Sequence, residues 1–181
     1  MGSGMAEEPS GTLDQIESGS RVLVDAAIFI YHFTGTSPEC RRLLERCEQG
    51  DLEGVASVLT LAEVAHRLMT IEAVADGHVS AGNVVKKLRS KPDIVRRLHR
   101  FREQVAKIPL MGISVLPLEL TTFLRADRIY GQAGLLTNDA LIAATAAKHR
   151  IEILASGDRD FERLEGLRLY RPSDIGLASS G

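Results

Sequence analysis

The chain has no tryptophan, and among its 181 residues only five phenylalanines and three tyrosines. So few aromatic rings offer little for stacking nucleic-acid bases, and any nucleic-acid recognition has to rest on charge and shape. There are two cysteines, Cys40 and Cys47, seven residues apart on an expected helix. Seven helical residues rise about 10.5 Å, too far for a disulfide. With no histidine or third cysteine at a metal-binding spacing, both are expected to be small buried side chains. No segment approaches the roughly eighteen uninterrupted apolar residues of a membrane-spanning helix, and no basic-then-apolar leader opens the chain. No membrane contact and a cytoplasmic location are therefore expected. The net charge of −2 exerts no overall pull on nucleic acid, so a basic surface would have to be local.

What is present is a 44% hydrophobic content, enough at this length for one good core. Residues 1–20 lack apolar periodicity and are expected to be a flexible tail, with Met1-Gly2-Ser3-Gly4-Met5 as a tag remnant. Residues 21–175 form the expected domain, with residues 76–108 as a helical arm, and residues 176–181 a second tail.

Arg21-Val22-Leu23-Val24 reads as a strand ending in Asp25, and the following Ala-Ile-Phe-Ile stretch as a helix start. A helix is expected over 38–49, stopped by Gly50, then a strand over 55–59. Thr60 is expected to open a helix that ends near Gly77. The arm reads as two helices broken near Pro92, because a residue before proline leaves the helical region. Beyond it come a strand at 112–116, helices at 121–133 and 138–150, and strands at 151–155 and 167–170. Strands alternating with helices predict an α/β fold with a central parallel β-sheet flanked by helices. Ligands of such sheets bind beyond the carboxyl ends of the strands.

Four acids stand in apolar surroundings: Asp25 in VLVDAAIF, Glu63 in LTLAEVAH, Asp139 in LLTNDALIAA and Asp158 in ILASGDRDF. Carboxylates flanked this way are costly unless paired, hydrogen-bonded or neutralised by a cation. Mg²⁺ or Mn²⁺, which prefer oxygen ligands and keep several waters, are the natural neutralisers. Each acid also has a purely structural explanation. Thr60 to Glu63 fits a capping box, Asp139 sits in a first helical turn where the dipole favours it, and Asp158 suits a turn or cap. Asp25 has the weakest such explanation, since propensity does not account for an acid closing an apolar strand.

Taken in order, these four segments resemble the PIN-domain family, and most closely its VapC-type toxins. The likeness spans residues 21–174 and is most specific in Thr137-Asn138-Asp139-Ala140 and Ser156-Gly157-Asp158-Arg159-Asp160-Phe161. It implies a PIN-like fold and a metal-dependent endoribonuclease in which Asp25 and Asp139 bind one Mg²⁺ or Mn²⁺. Glu63 and Asp158 would complete the shell or hold a second ion, and the products would be a 5′-phosphate and a 3′-hydroxyl. Ser156 matches a hydroxyl residue near the site. Asp160 is either an acid behind the ligands or, by preference, a helix cap for residues 161–164. The likeness further implies an RNA substrate, a small antitoxin partner and a homodimer. Two positions depart from the family pattern: Ala27 stands where relatives often have a polar residue, and Gly157 where they often have a larger one.

Four carboxylates repel phosphate unless cations flank them. Arg67, one turn beyond Glu63, and Arg159, beside Asp158, are the nearest candidates for contacting RNA, with Lys87, Arg97 and Arg100 on the basic arm as more distant ones. The same arm is equally explained as a solvated face or as a landing site for an acidic partner. A dehalogenase-type phosphatase would need a second Asp where Ala27 stands, and a receiver domain would need an acidic pair before Asp25. A non-cleaving PIN-like module that binds RNA or protein is the remaining alternative.

Overall fold

The computed structural model describes residues 11–175, and the proposed tag remnant and the C-terminal tail at 176–181 lie outside them. Six strands form one parallel sheet in the order β1-β6-β5-β2-β3-β4: β1 Gly11–Thr12, β2 Arg21–Val24, β3 Glu53–Ser57, β4 Ile113–Leu116, β5 Ile153–Ala155 and β6 Arg168–Arg171. Side chains alternate between the faces with period two. Val22, Val24, Ala56, Ile153 and Ala155 therefore enter one core with helices α1 (Ala26–Phe33), α2 (Pro38–Glu48) and α3 (Val58–Ala75). Leu23, Val55, Leu154 and Leu169 enter the other, beneath α7 (Leu120–Ala133) and α8 (Thr137–His149). A strand covered on both faces has to be apolar throughout, which is why β2 is the chain's clearest run.

Residues 11–16 are not a tail. Gly11 and Thr12 pair with Tyr170 and Arg171, and Leu13 and Ile16 are buried. Two cations on α2 hold this segment: Arg42 pairs with Asp14, and Arg46 donates to the Ile16 carbonyl at 2.8 Å. The other end of the described chain is clasped to the same helix. Asp174 accepts from the Ser37 hydroxyl at 2.6 Å and the Glu39 N–H at 2.8 Å, while Glu39 accepts from the Ser173 N–H at 2.6 Å.

Cys40 and Cys47 are buried and unbridged, as expected, and burial pushes their thiols up to about 12 and about 11. Cys47 lies so close to β3 that a side chain at Gly54 would stand 2.8 Å from its sulfur. Gly112 adopts φ +71 with its α-carbon against the Cys47 carbonyl, where any β-carbon would collide.

The arm contains three helices rather than two: α4 Val84–Arg89, α5 Pro92–Arg97 and α6 Arg100–Lys107. Pro92 marks the first break. The second has another cause. α6 has no cap from His99, and Glu72 of α3 supplies one instead, accepting from the N–H groups of His99 (2.9 Å), Arg100 (3.2 Å) and Phe101 (2.8 Å). Burial alone would raise the Glu72 carboxyl, but the N–H groups of Phe101, His99 and Arg100 outweigh it and hold it below the usual glutamate range. Glu72→Ala is expected to destabilise the protein by about 2 kcal/mol, because it leaves buried N–H groups unpaired. The contribution is complete above the ordinary glutamate pKa and is lost as pH falls through the lowered one. Urea melts at pH 7 test this, and an unchanged midpoint would show that the clamp carries no stability.

Candidate functional site

The strand order reverses between β5 and β2: from β2 the chain proceeds through β3 to β4, and from β5 through β6 on the other side. A crevice opens at the carboxyl ends of such a pair. Asp25 follows β2 directly, and its N–H donates to the Ala155 carbonyl of β5 at 2.9 Å. Its carboxylate caps α1, Oδ1 accepting from the Ala26 N–H at 2.7 Å. Oδ2 accepts from the Ser156 hydroxyl at 2.6 Å, and Ser156 Oγ accepts in turn from the Asp158 N–H at 3.1 Å. Ser156 thus ties the ends of the two central strands together.

Asp158 caps a short 3-10 helix, Arg159–Arg163, by accepting from the Asp160 N–H at 2.8 Å. The cap there is Asp158 and not Asp160. Asp160 lies inside that helix and pairs with Arg163 at 2.8 Å. Asp139 occupies the first turn of α8, half-buried, with no side-chain hydrogen bond among the described residues. Three helix amino ends therefore face one crevice, each carrying an acid, and their partial positive charge offsets some of the repulsion.

Glu63 has a different local setting from the expected one. α3 begins at Val58, and its cap is Ser57, whose Oγ accepts from the Thr60 N–H at 3.1 Å. The capping box built on Thr60 is absent, so Glu63 is not needed at the helix entrance. It lies in the second turn, half-buried, and acts electrostatically on Asp25.

Asp25 is 8% exposed, and its carboxyl is raised to about 6: burial is the main cause, Ser156 and Ala26 oppose it, and Glu63 and Asp158 add to it. Asp139 is also raised to about 6, by burial and then by Asp158, Asp25 and Asp160. No lysine or arginine is among the principal influences on either group. An all-carboxylate crevice short of positive charge fits a hard divalent ion. Among the described residues no group of three or more His, Cys, Asp or Glu side chains is arranged to hold a metal ion.

Of the expected RNA-contacting cations, Arg67, Arg97 and Arg159 are exposed and unpaired among the described residues. Lys87 is engaged locally, donating to Ser80 Oγ at 2.7 Å and the Ser80 carbonyl at 3.0 Å, and Arg100 pairs with Asp76 at 2.7 Å. Neither is held ready for a phosphate.

Two residues near the site had not been singled out. Arg171 of β6 donates to the Gly157 carbonyl at 3.4 Å, and the Tyr31 hydroxyl stands 3.6 Å from where a Gly157 β-carbon would lie. The Ala27 methyl is 3.6 Å from the same point, so the two departures from the family pattern adjoin one another. Tyr31 lies one turn beyond Ala27, a spacing that could have pointed to it.

Comparison with known proteins follows this geometry. The chain is 25% identical over 162 residues to Ribonuclease VapC6 of Methanocaldococcus jannaschii, covering 85% of this chain and 99% of that protein. Its fold is similar to that of VapBC2 from Rickettsia felis, bound to a DNA fragment from their promoter (TM-score 0.54, 17% identity, 84% of this chain and 98% of that one). It is also similar to Mycobacterium tuberculosis VapC20, described as a Sarcin-Ricin loop cleaving toxin (TM-score 0.52, 17% identity, 78% and 92%). The family model of the PIN domain matches residues 22–167, most of the chain, and takes in all four acids of the crevice: this protein belongs to the PIN domain family.

Proposed function

We propose that this protein is a metal-dependent endoribonuclease, the toxin of a VapBC-type toxin–antitoxin pair acting in the cytoplasm. In this reading Asp25, Glu63, Asp139 and Asp158 hold one or two Mg²⁺ or Mn²⁺ ions over the scissile phosphate of an RNA. The observation that carries it is the pair of carboxyls, Asp25 and Asp139, both raised to about 6 in one crevice by burial and by the neighbouring acids. The name of the archaeal relative supports the ribonuclease reading. Bound there, a divalent ion offsets charge on the phosphate oxygens and makes water a better nucleophile.

The chain's own residues have separable tasks. Asp25 is fixed in orientation by Ala26 and Ser156, and among the described residues Asp139 has no partner for either carboxylate oxygen. Without metal both carboxyls hold protons up to about pH 6, so acidification would compete with a divalent ion for them. Arg67 and Arg159 flank the acids and suit the phosphates on either side of the cut.

Two surfaces support the partners. A groove of about 880 Å³ between α3 and α4 has Ile71, Val74 and Val84 in its lining and Arg67, Lys86 and Arg89 around it, with no acid, matching an apolar and acidic antitoxin segment. Leu120 and Phe123, in the first turn of α7, are exposed at 72% and 48%, a face suited to a second copy.

Incubation with a panel of single-stranded RNAs in Mn²⁺, and again after chelation, is the test. Cleavage products that appear only with metal are expected. RNA bound but uncut would make the protein a non-cleaving module, and cutting that survives chelation would remove the metal from the mechanism.

A further inference from the structure

A second groove, of about 870 Å³, runs between α7, α8 and the 163–167 segment. Its lining includes Arg125, Arg128, Lys148 and Arg163 against Asp127 and Glu165. Lys148 is paired with Glu119 at 2.6 Å and Arg163 with Asp160. Arg125 and Arg128 are exposed and make no hydrogen bond or ion pair among the described residues.

Two elements of the fold lead from the acids to the wall of this groove. α8 carries Asp139 in its first turn and Ala143, which lines the groove, one turn later, a rise of about 6 Å. The 3-10 helix has Asp158 at one end and Arg163, in the groove wall, at the other. At about 2 Å per residue that is on the order of 10 Å. Both spans match one or two nucleotides of a single strand.

We propose that the RNA strand on one side of the cut lies in this α7–α8 groove, with Arg125 and Arg128 binding its phosphates. The inference rests on the nuclease reading above. Charge complementarity selects the occupant, because the two unpaired arginines flank a path that starts at the acids. Two of the arm's cations, Lys87 and Arg100, are already engaged by Ser80 and Asp76, whereas Arg125 and Arg128 are not.

The experiment measures cleavage kinetics and binding of a fluorescent single-stranded RNA across a salt series. It compares the unaltered protein, Arg125→Gln/Arg128→Gln and, as a control, Lys86→Gln/Arg89→Gln in the other groove. The Arg125/Arg128 pair is expected to raise KM and Kd about tenfold with kcat within about twofold. It should also flatten the slope of log Kd against log salt by about 1.4, two phosphates at about 0.7 each. Thermal melts coinciding with the unaltered protein establish that it is folded. Unchanged KM and slope while the unaltered protein still cuts would overturn the path alone. No cutting or binding by the unaltered protein would overturn the nuclease reading and the path with it. A larger loss in the Lys86/Arg89 control would place the strand on the arm and also overturn the proposal.

Discussion

Asp139→Asn is expected to reduce RNA cleavage by about a thousandfold or more while leaving the fold and RNA binding intact. The loss should exceed the roughly 10–100-fold that follows removal of a residue supporting a metal ligand, since here the ligand itself is lost. The Asp139 side chain has no hydrogen bond among the described residues, so replacing one oxygen with an amide breaks nothing structural. Asparagine keeps the size and shape at the first turn of α8 and removes only the charge and the basic oxygen. RNA affinity should hold or rise, because one of four negative charges leaves the phosphate path. Single-turnover cleavage at saturating Mn²⁺, with binding measured on the same RNA, decides it. Activity within tenfold of the unaltered protein would remove Asp139 from the ligand set.

Asp25→Asn should abolish cleavage yet make the metal-free protein more stable. The Asp25 carboxyl is raised from its ordinary value of 3.8 to about 6, so the folded state binds its proton more tightly than the unfolded chain does. The corresponding stability is complete below the unfolded pKa, near pH 4, and is lost as pH rises through about 6. At neutral pH the folded protein therefore carries a buried charge it disfavours by on the order of 3 kcal/mol. Asparagine, itself a good helix cap, removes that charge and can still accept from Ala26. A Tm gain of about 5 °C at pH 7.5 in chelator is expected, vanishing toward pH 4. Mn²⁺ should raise the Tm of the unaltered protein and leave the variant nearly unmoved. Superimposable pH profiles for the two proteins would refute this account.

Asp25 and Asp158 were legible as strand-end acids because β2 and β5 are apolar on both faces, leaving a carboxylate at the end conspicuous. The cap that Asp158 places on the 3-10 helix was also readable, whereas the cap that Asp25 places on α1 was not, because the acid stood out only as the end of an apolar strand. Glu63 was obscured by a plausible capping box because Ser57, the real cap, closes a strand and looked like part of it. The two-residue strand at Gly11–Thr12 is too short to have a period, so nothing marked it off from a tail. The second break in the arm was invisible because its cause, Glu72, lies 27 to 29 residues away. The reversal of strand order, which places β5 beside β2, is a tertiary fact that no local pattern encodes.

The clasp of Ser173 and Asp174 onto α2 joins positions 134 to 137 residues apart, and β5 and β6 enter the sheet only after most of the chain has been made. A ribosome producing this protein therefore has to release the chain past residue 158 before Ser156 and Asp158 can meet Asp25. Until residues 139–158 have emerged, the chain has two of its acids, Asp25 and Glu63, on an unfinished sheet and no completed crevice.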